Sequence, residues 1–290
     1  MQTTIQKAIS TSGIGLHTGC QASVSLRPAP ENVGIVFRRT DLKGFEIEAQ
    51  RRWVSRVLMA TTLMKKGVML STVEHLLSAV YGLGIDNLYI DIDSLEVPIL
   101  DGSAGPFVEM LRRAGIRRQQ EDRSYLKIAR AARWGDGEKY IAVEPSNCFQ
   151  VRYEIQFSHP SIGSQIVDWE ITPEIYAREI AFARTFGFYA EVEQLLKKGL
   201  IRGGSLENAV VLTEEDIMNG PLRAPDEFAR HKVVDLIGDV ALCGRPLLGR
   251  VIAHKAGHAL HTELANRLVR DPSLCRLVSE REISTARAAG

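Results

Sequence analysis

Apolar and polar residues alternate along several short stretches of this chain, and elsewhere they recur with a helical period. Ala22, Val24 and Leu26 alternate with polar neighbours, and Gly34 to Phe37 is a short apolar run, so both read as strands. Between them Arg27 to Asn32, with two prolines, reads as a turn. Further strands are expected at Phe45 to Ile47 and Val54 to Leu63, and another where Leu88, Ile90 and Ile92 alternate. Helices are expected from Ser71 to Gly82 and, after a turn at Asp101-Gly102-Ser103, up to about Leu111. The charged run Arg117 to Arg123 reads as a solvated connection. Beyond it, Asp136-Gly137 predicts a hairpin turn, with strands at Phe149 to Phe157 and Ile166 to Ile171. Thr172 followed by Pro173 marks a helix start. A short amphipathic helix around Val192, Leu195 and Leu196 ends at Gly199. Ala209 to Leu212 and Leu247 to Ala253 are strand-like, and Ala259 to Val269 is helical. Each half therefore holds several strands and two helices, which predicts an α+β fold with helices on one face of mainly antiparallel sheets.

The helix from Asp226 to Asp239 carries the chemistry. Phe228, Val233, Val234, Leu236 and Ile237 cover most of its surface, but His231, Asp235 and Asp239 stand four residues apart. That spacing stacks them on one face, about 5–6 Å from each other. Ionisable groups on an apolar helix are costly to bury unless compensated. A divalent metal would compensate them, since a His and a carboxylate one turn apart reach a common ion. The same spacing fits a polar edge facing water, or Asp235 simply orienting His231.

Glu74 has the same double meaning. Ser71 and Glu74 have capping-box spacing, while a Glu beside His75 at a helix start suits a general base next to a metal ligand. The cysteines at 20, 148, 243 and 275 are dispersed, with no Cys-x-x-Cys, so a metal here must use His and carboxylate. That cysteine usage also suits a reducing cytoplasm. A net charge of +1 gives no electrostatic case for nucleic acid, and no apolar run approaches the length of a membrane span. The first residues lack the regions of a signal peptide. No Walker loop is present, and Gly13-Ile14-Gly15 lacks a dinucleotide fingerprint.

Seven blocks stand in order: Gly13-Ile14-Gly15-Leu16-His17-Thr18-Gly19, Ser71-Thr72-Val73-Glu74-His75-Leu76, Gly84-Ile85-Asp86-Asn87, Asp101-Gly102-Ser103-Ala104, Ala183-Arg184-Thr185-Phe186-Gly187-Phe188, His231-Lys232-Val233-Val234-Asp235 and Gly257-His258-Ala259-Leu260. Together they closely resemble the UDP-3-O-acyl-N-acetylglucosamine deacetylases, zinc amidases of bacterial lipid A synthesis, from near the N-terminus to about Leu264. The resemblance implies two similar two-layer α/β sandwich domains, at 1–122 and 123–278, with the active site between them; the tail at 279–290 is small and polar, which predicts mobility. It implies one zinc per chain, or ferrous iron in the cell, on His75, His231 and Asp235. Glu74 is then the general base, His258 the second catalytic residue with Asp239 orienting it, and Thr185 the oxyanion donor. Lys232, Lys255, Phe157 and Lys139 match contacts to the UDP-sugar. An insert at about 188–203 would pass the acyl chain, with Phe186, Phe188, Leu200 and Ile201 at the substrate and Val192, Leu195 and Leu196 available to line the groove. A second insert lies at about 44–66. The implied protein is a cytoplasmic monomer whose partner is a UDP-sugar lipid, without stable membrane insertion. His17, His159, His254 and His261 receive no role.

The chemistry agrees with such a set. An acetamide is a poor electrophile and its amine a poor leaving group. Three protein ligands leave zinc an open position for a water whose pKa falls to about 7. A two-carbon acetyl offers little binding energy, so affinity must come from remote parts of the substrate. Two rival classes use similar residues. A zinc peptidase is disfavoured because no His-Glu-x-x-His occurs, and a catalytically dead sugar-nucleotide binder would have no need for Glu74, Thr185 and His258.

Overall fold

The computed structural model describes residues 1–57 and 59–283. Its first half contains strands β1 (Thr3–Ile5), β2 (Ile9–Ile14), β3 (Gln21–Pro28), β4 (Ile35–Arg39), β5 (Phe45–Glu48), β6 (Val54–Arg56), β7 (Thr62–Lys65) and β8 (Val68–Leu70). Helix α1 (Glu74–Gly82), strand β9 (Leu88–Ile92), helix α2 (Gly105–Ala114) and strand β10 (Ile116–Arg118) complete it. The main sheet has the order β2-β3-β9-β4-β5, antiparallel except for the β4–β9 pair. The alternation at 22, 24 and 26 is visible in the product, because those three side chains are buried and their neighbours face outward.

Strands β11 (Ser124–Ile128), β12 (Ala132–Gly135), β13 (Tyr140–Glu144), β14 (Phe149–Gln156) and β15 (Ser164–Glu170) open the second half. Helix α3 (Pro173–Ile175) follows, capped as expected by Thr172, whose Oγ1 accepts the Ile175 N–H at 3.2 Å. Strand β16 (Phe186–Phe188), helix α4 (Tyr189–Lys197), strand β17 (Val210–Leu212), helix α5 (Glu227–Ala241), strand β18 (Leu247–His254), helix α6 (His258–Arg270) and strand β19 (Cys275–Ser279) complete the chain. β18 is the centre of a seven-stranded sheet and pairs with β11, β13 and β14. The fold is α+β, with mainly antiparallel sheets. Helix α5 rests on β14 and β15, α6 on β12 and β13, and α1 packs along α5. The two helical layers therefore meet in the middle of the molecule, in one continuous apolar core. No helix of the described residues is long and apolar enough to cross a membrane.

Two expected features differ. The run from Val54 to Leu63 is a hairpin, not one strand: Val54 of β6 pairs with Leu63 of β7. Met59 takes a φ of 66°, which an extended chain cannot use, and the chain turns back there; Leu58 lies outside the described residues. The charged run at 117–123 is not slack either. Arg117 and Arg118 belong to β10, paired with β1, and the Arg123 guanidinium is held by Asp86 at 2.8 Å. At the C-terminal end Ser279 still pairs with Ser124, while 284–290 lie outside the described residues.

Candidate metal centre and active-site cleft

A glycine decides how closely the two central helices approach. A Cβ on Gly238 of α5 would lie 2.1 Å from the Glu74 carbonyl oxygen and 2.9 Å from its Cα. Only a residue without a side chain lets the first turn of α1 lie against the α5 backbone there. Glu74 and His75 are thereby laid over the face that carries His231, Asp235 and Asp239. All five side chains are buried.

His75 Nε2 and His231 Nε2 lie 3.7 and 3.4 Å from the same Asp235 oxygen, Oδ1. These distances are long for hydrogen bonds. They match the edge of a ligand tetrahedron, about 3.4 Å for bonds of roughly 2.1 Å. His231 Nδ1 donates to the Ala183 carbonyl at 3.0 Å, which leaves the Nε2 lone pair facing Asp235. His75 Nδ1 is buried and has no hydrogen-bond partner among the described residues. Burial, opposed by Asp235, lowers the pKa of His231 to about 4. Burial works against the Asp235 anion, but Lys232, His231 and His258 hold its pKa well below the carboxylate range. A neutral imidazole and an anionic carboxylate are the states a metal requires. The three donors, two nitrogens and an oxygen, fit a divalent ion with at least one position open.

A second cluster, Asp239, His258 and His261, is closed by its own hydrogen bonds. His258 Nδ1 donates to Asp239 Oδ2 at 2.7 Å and His261 Nδ1 to the same oxygen at 3.1 Å. Thr61 Oγ1 donates to Asp239 Oδ1 at 2.6 Å. His258 Nε2 faces the metal ligands, 3.9 Å from Asp235 Oδ2. Burial disfavours the His258 cation, yet Asp239 and Asp235 outweigh it and push its pKa up to about 10. Glu74 lies across from it. Burial raises the Glu74 pKa against the pull of His258 and His75. Glu74 is not part of a capping box. Val73 occupies the cap position of α1, with no side-chain cap bond, and Ser71 bonds Thr62 instead. Thr72, at a φ of 58°, has already turned the chain out of register for such a cap. The Glu74 carboxylate accepts the Thr61 N–H at 3.0 Å.

These ligands open onto a cavity of about 520 Å³. Thr185 lines it, held by an N–H bond to the Gly102 carbonyl at 2.8 Å. The segment before it is clamped by Glu227, whose fully buried carboxylate takes both the backbone N–H and the guanidinium of Arg184. Phe186, Phe188, Val192, Leu195 and Ile201 form apolar wall. Lys232 also lines it, with Nζ 2.9 Å from Asp235 Oδ2 and 5.5 Å from the Phe186 ring centre.

Other expected residues lie elsewhere. Leu200 does not line this cavity and is 43% exposed. Phe157 packs behind the wall, its ring 5.9 Å from both Phe186 and Phe188. Lys139 is exposed in the β12–β13 turn, its N–H on Asp136, and the backbone of Lys255 is bonded to Glu154. Of the histidines without an expected role, His17 lines the cavity, His159 bonds the Thr213 carbonyl and His254 pairs with Glu154. His261 is fully buried beneath Asp239 and bonds the Tyr153 hydroxyl at 2.9 Å. Thr61, Tyr153 and His261 are the residues that sequence reasoning passes over. Only the i, i+3 spacing of His258 and His261 hinted at one of them.

Comparison with known proteins gives a family and two close relatives. A family model described as UDP-3-O-acyl N-acetylglycosamine deacetylase matches residues 2–270. A UDP-3-O-acyl-N-acetylglucosamine deacetylase of Solibacter usitatus (strain Ellin6076) is 50% identical over 279 residues, 96% of this chain and 94% of that protein. The protein of the same name from Myxococcus xanthus (strain DK1622) is 46% identical over 282 residues, 97% of this chain and 90% of its own length.

Proposed function

We propose that this chain, which belongs to the UDP-3-O-acyl N-acetylglycosamine deacetylase family, hydrolyses the acetamide of a UDP-3-O-(3-hydroxyacyl)-N-acetylglucosamine. The products are acetate and the corresponding glucosamine, and the step belongs to lipid A synthesis. The observation that carries this reading is a buried carboxylate and a partly buried imidazole, Glu74 and His258, facing one three-donor cluster at the end of an apolar cavity.

His75, His231 and Asp235 would hold the ion. Zinc, or ferrous iron in its place, would ionise a water near neutral pH and polarise the acetyl carbonyl when bound there. Glu74 accepts the proton of the attacking water, a role favoured by its raised pKa. The Thr185 hydroxyl donates to the oxyanion of the tetrahedral intermediate. His258 then gives a proton to the amine nitrogen as the C–N bond breaks. Its carboxylate neighbours favour the charged form that a general acid needs. Asp239 fixes which imidazole nitrogen carries the inward proton. Lys232 supplies positive charge beside the site for the anionic part of the substrate, and the 188–203 segment offers an apolar channel to the acyl chain. Phe157, Lys139, Lys255 and Leu200 stand outside the wall of this cavity. A single chain is taken as the working unit and the cytoplasm as its compartment, the latter in line with four free cysteines.

The test is acetate release from UDP-3-O-acyl-N-acetylglucosamine by purified, metal-loaded protein. Binding of the UDP-sugar without acetate release would leave only a sugar-nucleotide binder and refute the deacetylase assignment.

A further inference from the structure

Thr61 is fully buried in the segment that joins β6 to β7, 13 residues before Glu74 of α1 and 178 before Asp239 of α5. Its polar groups serve those helices. The N–H donates to Glu74 Oε2 at 3.0 Å, the carbonyl accepts the Val73 N–H at 3.4 Å, and Oγ1 donates to Asp239 Oδ1 at 2.6 Å. Oγ1 also lies 3.4 Å from His258 Nδ1. One residue therefore touches the base, the turn that carries the base, and the carboxylate that orients the acid.

The geometry of Asp239 shows what the hydroxyl does. Both imidazoles, His258 and His261, share Oδ2. The carboxylate has to be held in one rotamer for that sharing, and the sole other donor to it among the described residues is Thr61, on Oδ1. Without that donor Oδ1 is a buried, unsatisfied acceptor, and the carboxylate gains by rotating toward whatever donor it finds. Rotation moves the His258 proton donor away from the substrate nitrogen. A merely space-filling threonine has no reason to spend its hydroxyl and both backbone groups on catalytic elements.

We propose that Thr61 is a positioning residue for the reaction: through its hydroxyl it orients Asp239 and hence His258, and through its backbone it holds the Glu74 carboxylate. The inference rests on the deacetylase reading above.

The experiment compares acetate release by wild type, Thr61→Val, Thr61→Ser, Asp239→Ala and the Thr61→Val/Asp239→Ala double variant, with metal content and melting temperature for each. Valine keeps the shape and removes the donor. Thr61→Val should lower kcat by about 10–100-fold, the scale for losing a supporting partner. KM and metal content should stay near wild type, and Thr61→Ser should restore most of the loss. In the Asp239→Ala background the valine substitution should have little further effect, because its target is gone. In crystals of chelated Thr61→Val protein the Asp239 carboxylate should be rotated from its present orientation. Wild-type kcat in a folded Thr61→Val protein would overturn the inference. So would a kcat loss that serine does not restore, a loss that multiplies with Asp239→Ala, or an unmoved Asp239. Absence of acetate release by wild type itself would instead refute the deacetylase reading.

Discussion

Replacing Gly238 with alanine tests the account of how the site is assembled. In an ordinary helix Gly→Ala stabilises by about 1 kcal/mol, because alanine loses less conformational freedom on folding. Here the new Cβ would sit 2.1 Å from the Glu74 oxygen and 2.9 Å from its Cα. Carbon and oxygen need roughly 3.4 Å or more, so the helices must separate by about 1 Å. The obstacle is backbone, so no side chain can rotate out of the way. Overpacking of this kind typically costs 1–3 kcal/mol, and sometimes more. The displacement falls directly on the residue proposed as the base and on its neighbour His75, and a 1 Å error in such a site can cost about 10²-fold in rate. Gly238→Ala should therefore lower the melting temperature, weaken metal retention and reduce acetate release by about 100-fold. Gly137→Ala is the control, since a Cβ there meets nothing within 4 Å. Denaturation curves, elemental analysis and turnover would be read together. A Gly238→Ala protein that melts higher and keeps wild-type turnover would refute the close-approach argument.

Three further outcomes are expected. His231→Ala should lose metal and turnover together, as measured by elemental analysis and acetate release; lost turnover with a full complement of metal contradicts its place as a ligand. Leu195→Asp should raise KM strongly for long-chain substrates and little for a substrate without the acyl chain, whereas Leu200→Asp should do neither, since Leu195 lines the cavity and Leu200 does not. The folded-state pKa of His258 lies above its ordinary value of 6.5, so in chelated protein the stability that its charge contributes is fully present below 6.5 and is lost as pH rises toward about 10. Asp239→Asn removes the main support of that cation, so denaturation measured across this range should show a flatter alkaline decline, and the alkaline limb of turnover in metal-loaded protein should move to lower pH. An unchanged profile would separate Asp239 from the titration of His258.

Local patterns determined a large part of this protein. The alternation at Ala22, Val24 and Leu26 is a property of the pleat, and a period near 3.6 puts His231, Asp235 and Asp239 on one face of α5 whatever that face meets. Thr172 capping α3 and Asp136 turning the β12–β13 hairpin act over a few residues, so the sequence carries them openly. Val54 to Leu63 misled because an apolar run does not say where it reverses, and the answer lay in the backbone at Met59. The Ser71–Glu74 spacing misled for a similar reason, since Thr72 turns the chain before the cap can form. Spacing on α5 left a metal, a wet helix edge and a simple His–Asp pair equally open. Tertiary structure removed the wet edge, because His231 and Asp235 are buried, and Gly238 brings α1 close enough to put His75 Nε2 3.7 Å from Asp235. It alone brought Thr61 between Glu74 and Asp239, and set His261 beneath them. It also separated Leu195 and Ile201, on the cavity wall, from Leu200, Phe157 and Lys139, which are off it. Contacts between residues tens to hundreds of positions apart depend on how helices and sheets stack, and no local period encodes that.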